Sequence, residues 1–371
     1  MKSEDAGVKG KERREIELDF IRGIAILMVL DFHSPRSLLL YPFQLMGFLN
    51  FGWAGVDVFF ILSGFLVGGL LMKEWKLRAR VDSRRFLIRR GFKIWPQYYF
   101  YLALMLVAGH RTLGQLTGNI LNIQNYIGGV AHTWSLAVEE HAYLFLVLCL
   151  SIAAAWKVRI RHLFASFSLL TVAVIVLRQV LAAKGLPYFA GTHVRIDGIL
   201  EGVLLAMLYH FRPQLFRRIQ MMNWLWIGVL AATLIYLRVQ VQGPGENAFS
   251  YNLTNLSGVA LLMLLYRHVP GKRRHPLYRL VAWIGLYSYG IYLWHISIIG
   301  PVRWASDRLP KPMGVIWDAV MTYVLGIGIG YVTTKLVEAP SLRLRDRLFP
   351  RRVDSAVGMP AVVEAKQTGQ L

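Results

Sequence analysis

Apolar residues do not alternate with polar ones along most of this chain. They gather into blocks near the length of a membrane crossing. Such runs recur near residues 17–34, 45–72, 94–110, 133–155, 164–182, 196–211, 223–242, 254–266, 280–300 and 315–337. A helical crossing of the bilayer core takes about 20 apolar residues. The pattern predicts an all-α fold, a polytopic integral membrane bundle of about ten transmembrane helices. The second run is longer than a crossing needs. Its glycines, Gly47, Gly52, Gly55, Gly64, Gly68 and Gly69, allow a break, a tilt or close helix packing. No strong internal repeat or low-complexity linker interrupts the runs. One domain is expected over residues 17–340, after a charged segment 1–16 and before a basic-to-polar tail 341–371, with no further domain.

Charge orients this bundle. The 371 residues carry 42 Lys and Arg against 21 Asp and Glu, a net charge of +21. An excess of that size raises nucleic acid as a partner, but its distribution argues against it. Most of the bases fall in 1–16, 73–93, 156–163, 212–222, 267–279 and 338–371, which are alternate connections and the two ends. That is the positive-inside pattern, and it places both termini in the cytoplasm. The bases then serve topology and contact with anionic membrane lipid. Only 17% of residues are charged, below the roughly 25% of soluble domains. The first run holds Arg22 and His33 with no small-x-small site after it, so it is expected to stay as a helix and not be cleaved as a signal peptide. A single cysteine, Cys149, excludes an intrachain disulfide.

Ionisable residues inside the runs carry the candidate chemistry, because such groups usually face a bundle interior or a watery cavity. In "HTWSLAVEEHAYLF", His132, Ser135, Glu139 and Tyr143 share one helical stripe. Glu140 is rotated by about 100° and His141 points nearly opposite His132. Glu139 is therefore the expected inward acid, unless it pairs with a base and only holds helices together. In the first run Arg22 and His33 lie close to three turns apart on one face, roughly 16 Å along the axis. Ser288, Tyr292 and His295 share a face of the ninth run, where the tyrosine could equally belong to an interfacial aromatic belt. Arg195, Asp197 and Glu201 open the sixth run, as a polar site or as a structural ion pair. His33, His132, Glu139, Arg195, Asp197 and His295 all fall in the outer half, and Arg22, Arg89, Arg90 and Lys93 at the inner edge. Two polar entrances follow: a cationic inner one suited to a polyanion, and an outer one suited to proton transfer at a hydroxyl.

These stretches resemble the acyltransferase 3 family of integral membrane O-acyltransferases, from about Leu18 to Pro340. "LDFIRGIAILMVLDFH" is similar to its first-helix motif of Arg and His. "GWAGVDVFFILSGFLVGGLL", with Asp57, Ser63 and Gly64, resembles its second-helix signature. "FLIRRGFKIWPQYY" resembles its basic motif, "HTWSLAVEEHAYLF" its paired-glutamate motif, and "THVRIDGILEGVLLA", "YSYGIYLWH" and "EAP" later signatures. The chain departs from the family in two places. Lys93 stands where the basic motif usually repeats Arg, keeping the charge without the planar fork. His141 and Ala142 follow Glu140 in place of Gln and an aromatic.

The resemblance implies transfer of an acetyl or other short acyl group from acyl-CoA to a sugar hydroxyl of a surface polysaccharide or exported glycoside, at a bacterial inner membrane and with no metal. Arg22, Arg90 and Lys93 would meet the phosphates of acetyl-CoA. His33 would act as general base or brief acyl carrier, and Glu139 would orient or charge-stabilise it. Ser135, Tyr143, Arg195, Asp197 and His295 would line the acceptor side. The rival class is a transporter or flippase of lipid-linked sugar. It also suits buried ionisable groups, but no pair of halves with matching interrupted helices is seen. A purely structural scaffold would not need His and Glu at one depth.

Overall fold

The computed structural model describes residues 15–34, 52–240, 247–267 and 275–350. The segment before Glu15, the start of the second run with Gly47, and the tail beyond Pro350 lie outside the described residues. Each of the ten apolar runs contains helix, and no strand occurs among the described residues. The helices are α1 (Ile16–His33), α2 (Gly55–Arg78, entered by the 3-10 turn Gly52–Ala54), α3 (Ser83–Val107) and two short ones, α4 (Leu113–Ile120) and α5 (Gln124–Ile127). There follow α6 (Trp134–Ala155), α7 (Ile160–Ala183), α8 (Thr192–Arg195), α9 (Asp197–Phe211), α10 (Pro213–Gln220), α11 (Asn223–Gln240) and α12 (Ala248–Leu265). The last are α13 (Pro276–Leu286), α14 (Ser288–Ser306), α15 (Lys311–Thr333) and α16 (Ala339–Leu348).

Among these, five segments are long and apolar enough to cross a membrane, and a sixth if α10 and α11, bent by 59°, are taken as one span. The chain is a multi-pass membrane protein. Within its most apolar stretch the segment containing α2 is 72% buried, against 22% for α7, so α2 is the hub and α7 lies at the rim. α2 packs most extensively on α9. Gly64 and Gly202 make that crossing possible. A Cβ on Gly64 would sit 2.0 Å from Ile199 O, and one on Gly202 would sit 2.2 Å from Ile61 O. Gly64 of the second run thus provides close packing. Gly64→Leu is expected to force the two helices apart at a cost of about 1–3 kcal/mol or more, read as a lower melting temperature in detergent.

Three boundaries differ from the sequence pattern. α3 starts at Ser83, where the Asp82 carboxylate caps it by accepting from Arg85 N at 3.1 Å, so the basic motif lies on the helix and not before it. The ninth run is two helices broken at Tyr287. Helix continues past residue 340. A π-helical turn, Thr334–Glu338, leads directly into α16, which lies against α3, where Ser341 Oγ donates to Phe92 O at 2.7 Å.

Candidate active site

Six helices converge on a central cavity of about 130 Å³. α1 contributes Arg22, α2 Phe59, Phe60 and Ser63, and α3 Arg90, Lys93 and Ile94. α6 contributes Ser135, Leu136, Glu139 and Tyr143. The break between α13 and α14 turns Gly285, Leu286, Ser288, Tyr289 and Tyr292 toward the same space. The walls hold three cations and one carboxylate. Arg22 stays 36% exposed although it belongs to an apolar helix, so its guanidinium is reachable from the cavity.

Tyr143 organises the cationic end. Arg90 Nη2 donates to its hydroxyl at 2.8 Å, and that hydroxyl donates to Glu139 Oε2 at 3.1 Å. A phenol has one proton. Ser63 Oγ, 2.5 Å away, must therefore donate to Tyr143. Lys93 is paired with Glu338 from the π-helical turn. A single-turn π insertion often marks a functional site, and here it delivers a carboxylate 245 residues away in sequence to the basic motif.

Tyr292 organises the opposite end. Its hydroxyl donates to His132 O at 2.5 Å and accepts from Ser135 Oγ at 2.6 Å. Beyond it lies a group of three imidazoles. His33 and His295 have ring centroids 4.8 Å apart, and His132 and His295 5.3 Å. Their tautomers follow from their partners, since a carbonyl oxygen only accepts. His295 Nδ1 lies 2.6 Å from Tyr292 O and must carry hydrogen, which leaves its Nε2 bare. His33 Nδ1 lies 3.0 Å from Val29 O and 3.3 Å from His295 Nε2, so one N–H is shared between those acceptors. The lone pair of neutral His33 is then on Nε2. His132 donates from Nε2 to Leu293 O at 3.1 Å. Among the described residues no group of three or more His, Cys, Asp or Glu is placed to hold a metal ion.

The expected site residues divide into three sets. Arg22, Arg90, Lys93, Ser135, Glu139 and Tyr143 are brought together around the cavity. His33 and His295 meet next to its Tyr292 end. Arg195 and Asp197 take the ion-pair alternative. Arg195 pairs with Asp57 and lies 4.0 Å over the Tyr251 ring, and Asp197 pairs with Arg178; neither lines the cavity.

Two expectations change. His33 takes His295 and Val29 O as hydrogen-bond partners, while Glu139 bonds Tyr143, so Glu139 does not orient that imidazole. His132 belongs to the 3-10 turn Ala131–Thr133, out of phase with the α6 stripe, and does not line the cavity. Glu140 bonds Trp95 Nε1 at 3.2 Å and lies off the cavity, as helical phase predicts. His141 bonds Thr192 Oγ1 at 2.7 Å on another face.

Sequence reasoning missed Arg178 altogether. It is fully buried on α7 and forks onto Asp197 with bonds of 3.0 and 2.6 Å. A lone arginine in an apolar run was the available signal. Tyr289 and Glu338 lie within the quoted "YSYGIYLWH" and "EAP" signatures, but no site role was assigned to either.

A family model described as an acyltransferase domain, acyltransferase 3, matches residues 15–335. The chain is similar to the peptidoglycan O-acetyltransferase OatA of Listeria monocytogenes, 23% identical over 359 residues that cover 87% of this chain and 55% of that protein. It is also similar to YrhL of Bacillus subtilis, provisionally named a peptidoglycan O-acetyltransferase, 25% identical over 91% of this chain and 56% of that protein. A Staphylococcus aureus protein provisionally named an O-acetyltransferase is 24% identical over 80% of this chain and 52% of its own length. The chain thus spans about half the length of the curated relatives it matches. No solved structure matches it. With the family model covering most of its length, the chain belongs to the acyltransferase 3 family.

Proposed function

We propose that this protein is a membrane O-acetyltransferase. It moves an acetyl or other short acyl group from cytoplasmic acyl-CoA to a sugar hydroxyl of a cell-envelope glycan. It does so as a ten-span protein of the bacterial cell membrane with both termini in the cytoplasm. The observation that carries this reading is the cavity with Arg22, Arg90 and Lys93 at one end and Tyr292, backed by the imidazoles, at the other. The peptidoglycan O-acetyltransferase names of two relatives support a cell-wall polysaccharide as acceptor class.

In this reading the cations offset the donor's phosphate charge. The thioester lies along the cavity with its carbonyl near Tyr292. The acceptor hydroxyl comes to His33 Nε2. As its oxygen bonds to the acyl carbon, its proton passes to Nε2, and the carbon–sulfur bond breaks. The imidazolium then returns that proton to the leaving thiolate, so CoA leaves as the thiol and the ester remains on the sugar. His33 Nδ1–H, shared with His295 and Val29 O, holds the ring so that Nε2 is the free nitrogen. Glu139, half-buried and joined to Arg90 through Tyr143, balances the cations that would otherwise crowd the donor.

The test is purified protein with labelled acetyl-CoA and peptidoglycan fragments. Thiol release that depends on acceptor, with label appearing in the glycan, is the expected result. Movement of a glycoside across the membrane with neither thiol nor label would establish a transporter instead.

A further inference from the structure

A second, larger chamber adjoins the cavity at its cationic end. It measures about 530 Å³, and Arg90 and Lys93 line both spaces, so they form the passage between them. Its walls come from the C-terminal half of α2, the first turns of α3, and α16. They carry seven bases, among them Arg85, Arg89 and Arg345, against two acids, Glu74 and Asp82. Leu77 and Leu342 give it an apolar side.

α16 is strapped onto α3 by more than packing. Arg89 donates to Phe349 O and, at 3.1 Å, to Asp346 Oδ1; Arg85 donates to Pro350 O. Asp346 also accepts from Arg345 Nε at 2.9 Å and from Arg345 Nη2 at 3.0 Å. One carboxylate thus ties two guanidiniums side by side, and none of these bonds uses Arg345 Nη1. The side chain of Arg345 is only 13% exposed. Asp346 thus fixes a guanidinium that lines the chamber.

The geometry points to this chamber as the site for the nucleotide end of the donor, an adenosine carrying several phosphates, with the C-terminal helix and Arg345 completing it. This rests on the acyl-CoA reading above. Phosphates take the guanidinium donors that these bonds leave over, Arg345 Nη1 among them, the purine lies on the leucine side, and the acyl-bearing arm passes between Arg90 and Lys93 into the inner cavity. Arg345 is then a specificity residue for a donor with its nucleotide, on a segment that the charge pattern marks only as a basic tail.

Two measurements on the full chain in nanodiscs test this. The first is calorimetric binding of adenosine 3′,5′-bisphosphate. Wild type is expected to bind, Arg345→Ala to bind about tenfold more weakly, and Arg345→Lys to fall between them. The second compares acetyl-CoA with acetyl-pantetheine, which lacks the nucleotide. Wild type is expected to prefer acetyl-CoA in kcat/KM, and Arg345→Ala to lose about tenfold of that preference. Equal losses with both donors would overturn the assignment and make Arg345 structural. So would binding of phosphatidylglycerol in the discs that displaces the bisphosphate, since the chamber would then serve a lipid headgroup. If wild type transfers from neither donor, the acyl-transfer reading fails, and bisphosphate binding alone still decides the chamber.

Discussion

His33→Gln is expected to lower acyl transfer by a factor of about 10²–10⁴, the usual worth of a positioned general base, while the protein stays folded. Glutamine keeps a polar group of similar reach but cannot accept and return a proton. The KM for donor should hardly move, because the donor cations are on other helices. The neighbour sharpens the test. His295 Nε2 accepts from His33 Nδ1 and thereby leaves Nε2 of His33 as the base. His295→Leu removes that acceptor, leaves Val29 O as the remaining partner, and frees the ring to turn. It should cut kcat more than it changes either KM. His295→Asn, whose amide oxygen can accept, should restore part of the rate. Nitrogen-15 spectra of labelled histidine would show His33 with its lone pair on Nε2 in wild type and a mixture in His295→Leu. Full turnover in His33→Gln would remove His33 from the chemistry.

Arg178→Met is expected to cost about 3–5 kcal/mol, the penalty for leaving one partner of a buried ion pair uncompensated. The guanidinium is fully buried. It forks onto Asp197, donates to Val194 O at 2.6 Å, and also bonds Asn252. Asn255 Nδ2 donates to the same carboxylate at 3.0 Å. Removing the arginine strands Asp197 among apolar helices. Adding Asp197→Asn removes the stranded charge and keeps an acceptor for Asn255, so the double variant should recover a good part of the loss. Melting in detergent of the two single variants and the double one gives the coupling. Additive losses would mean that the pair is not worth its geometry.

Helical phase alone separated Glu139 from Glu140, and the cavity wall agrees. The inward cluster on α6 and the basic motif on α3 were also legible, because each repeats on one face of a long helix. What phase cannot supply is which helices touch. His33 shares a stripe with Arg22, yet only Arg22 reaches the cavity, since His33 sits in the last turn of α1 and turns to α14. His132 lies in a 3-10 turn, where the α period does not apply. Lys93 and Glu338 meet across 245 residues, beyond any local pattern. α16 has no apolar stripe to betray it, because backbone carbonyls and ion pairs hold it to α3. Arg195 and Asp197 drew notice as ionisable groups in an apolar run. The matching rule, applied toward the end of the fifth run, would have found Arg178 and reassigned Asp197 to it.

The Arg178–Asp197 pair also bears on biogenesis. The two residues lie 19 positions apart, and the arginine leaves the ribosome first. An arginine costs about 2.5–3.5 kcal/mol at the centre of an isolated crossing and less toward an end; Arg178 lies five residues before the end of α7, so its cost is reduced but not removed. Until α9 arrives with its carboxylate, α7 is a poor candidate to leave the translocon alone. The two helices are best released into lipid together, as one hairpin. Lengthening the connection between them should therefore slow assembly before it harms the finished enzyme.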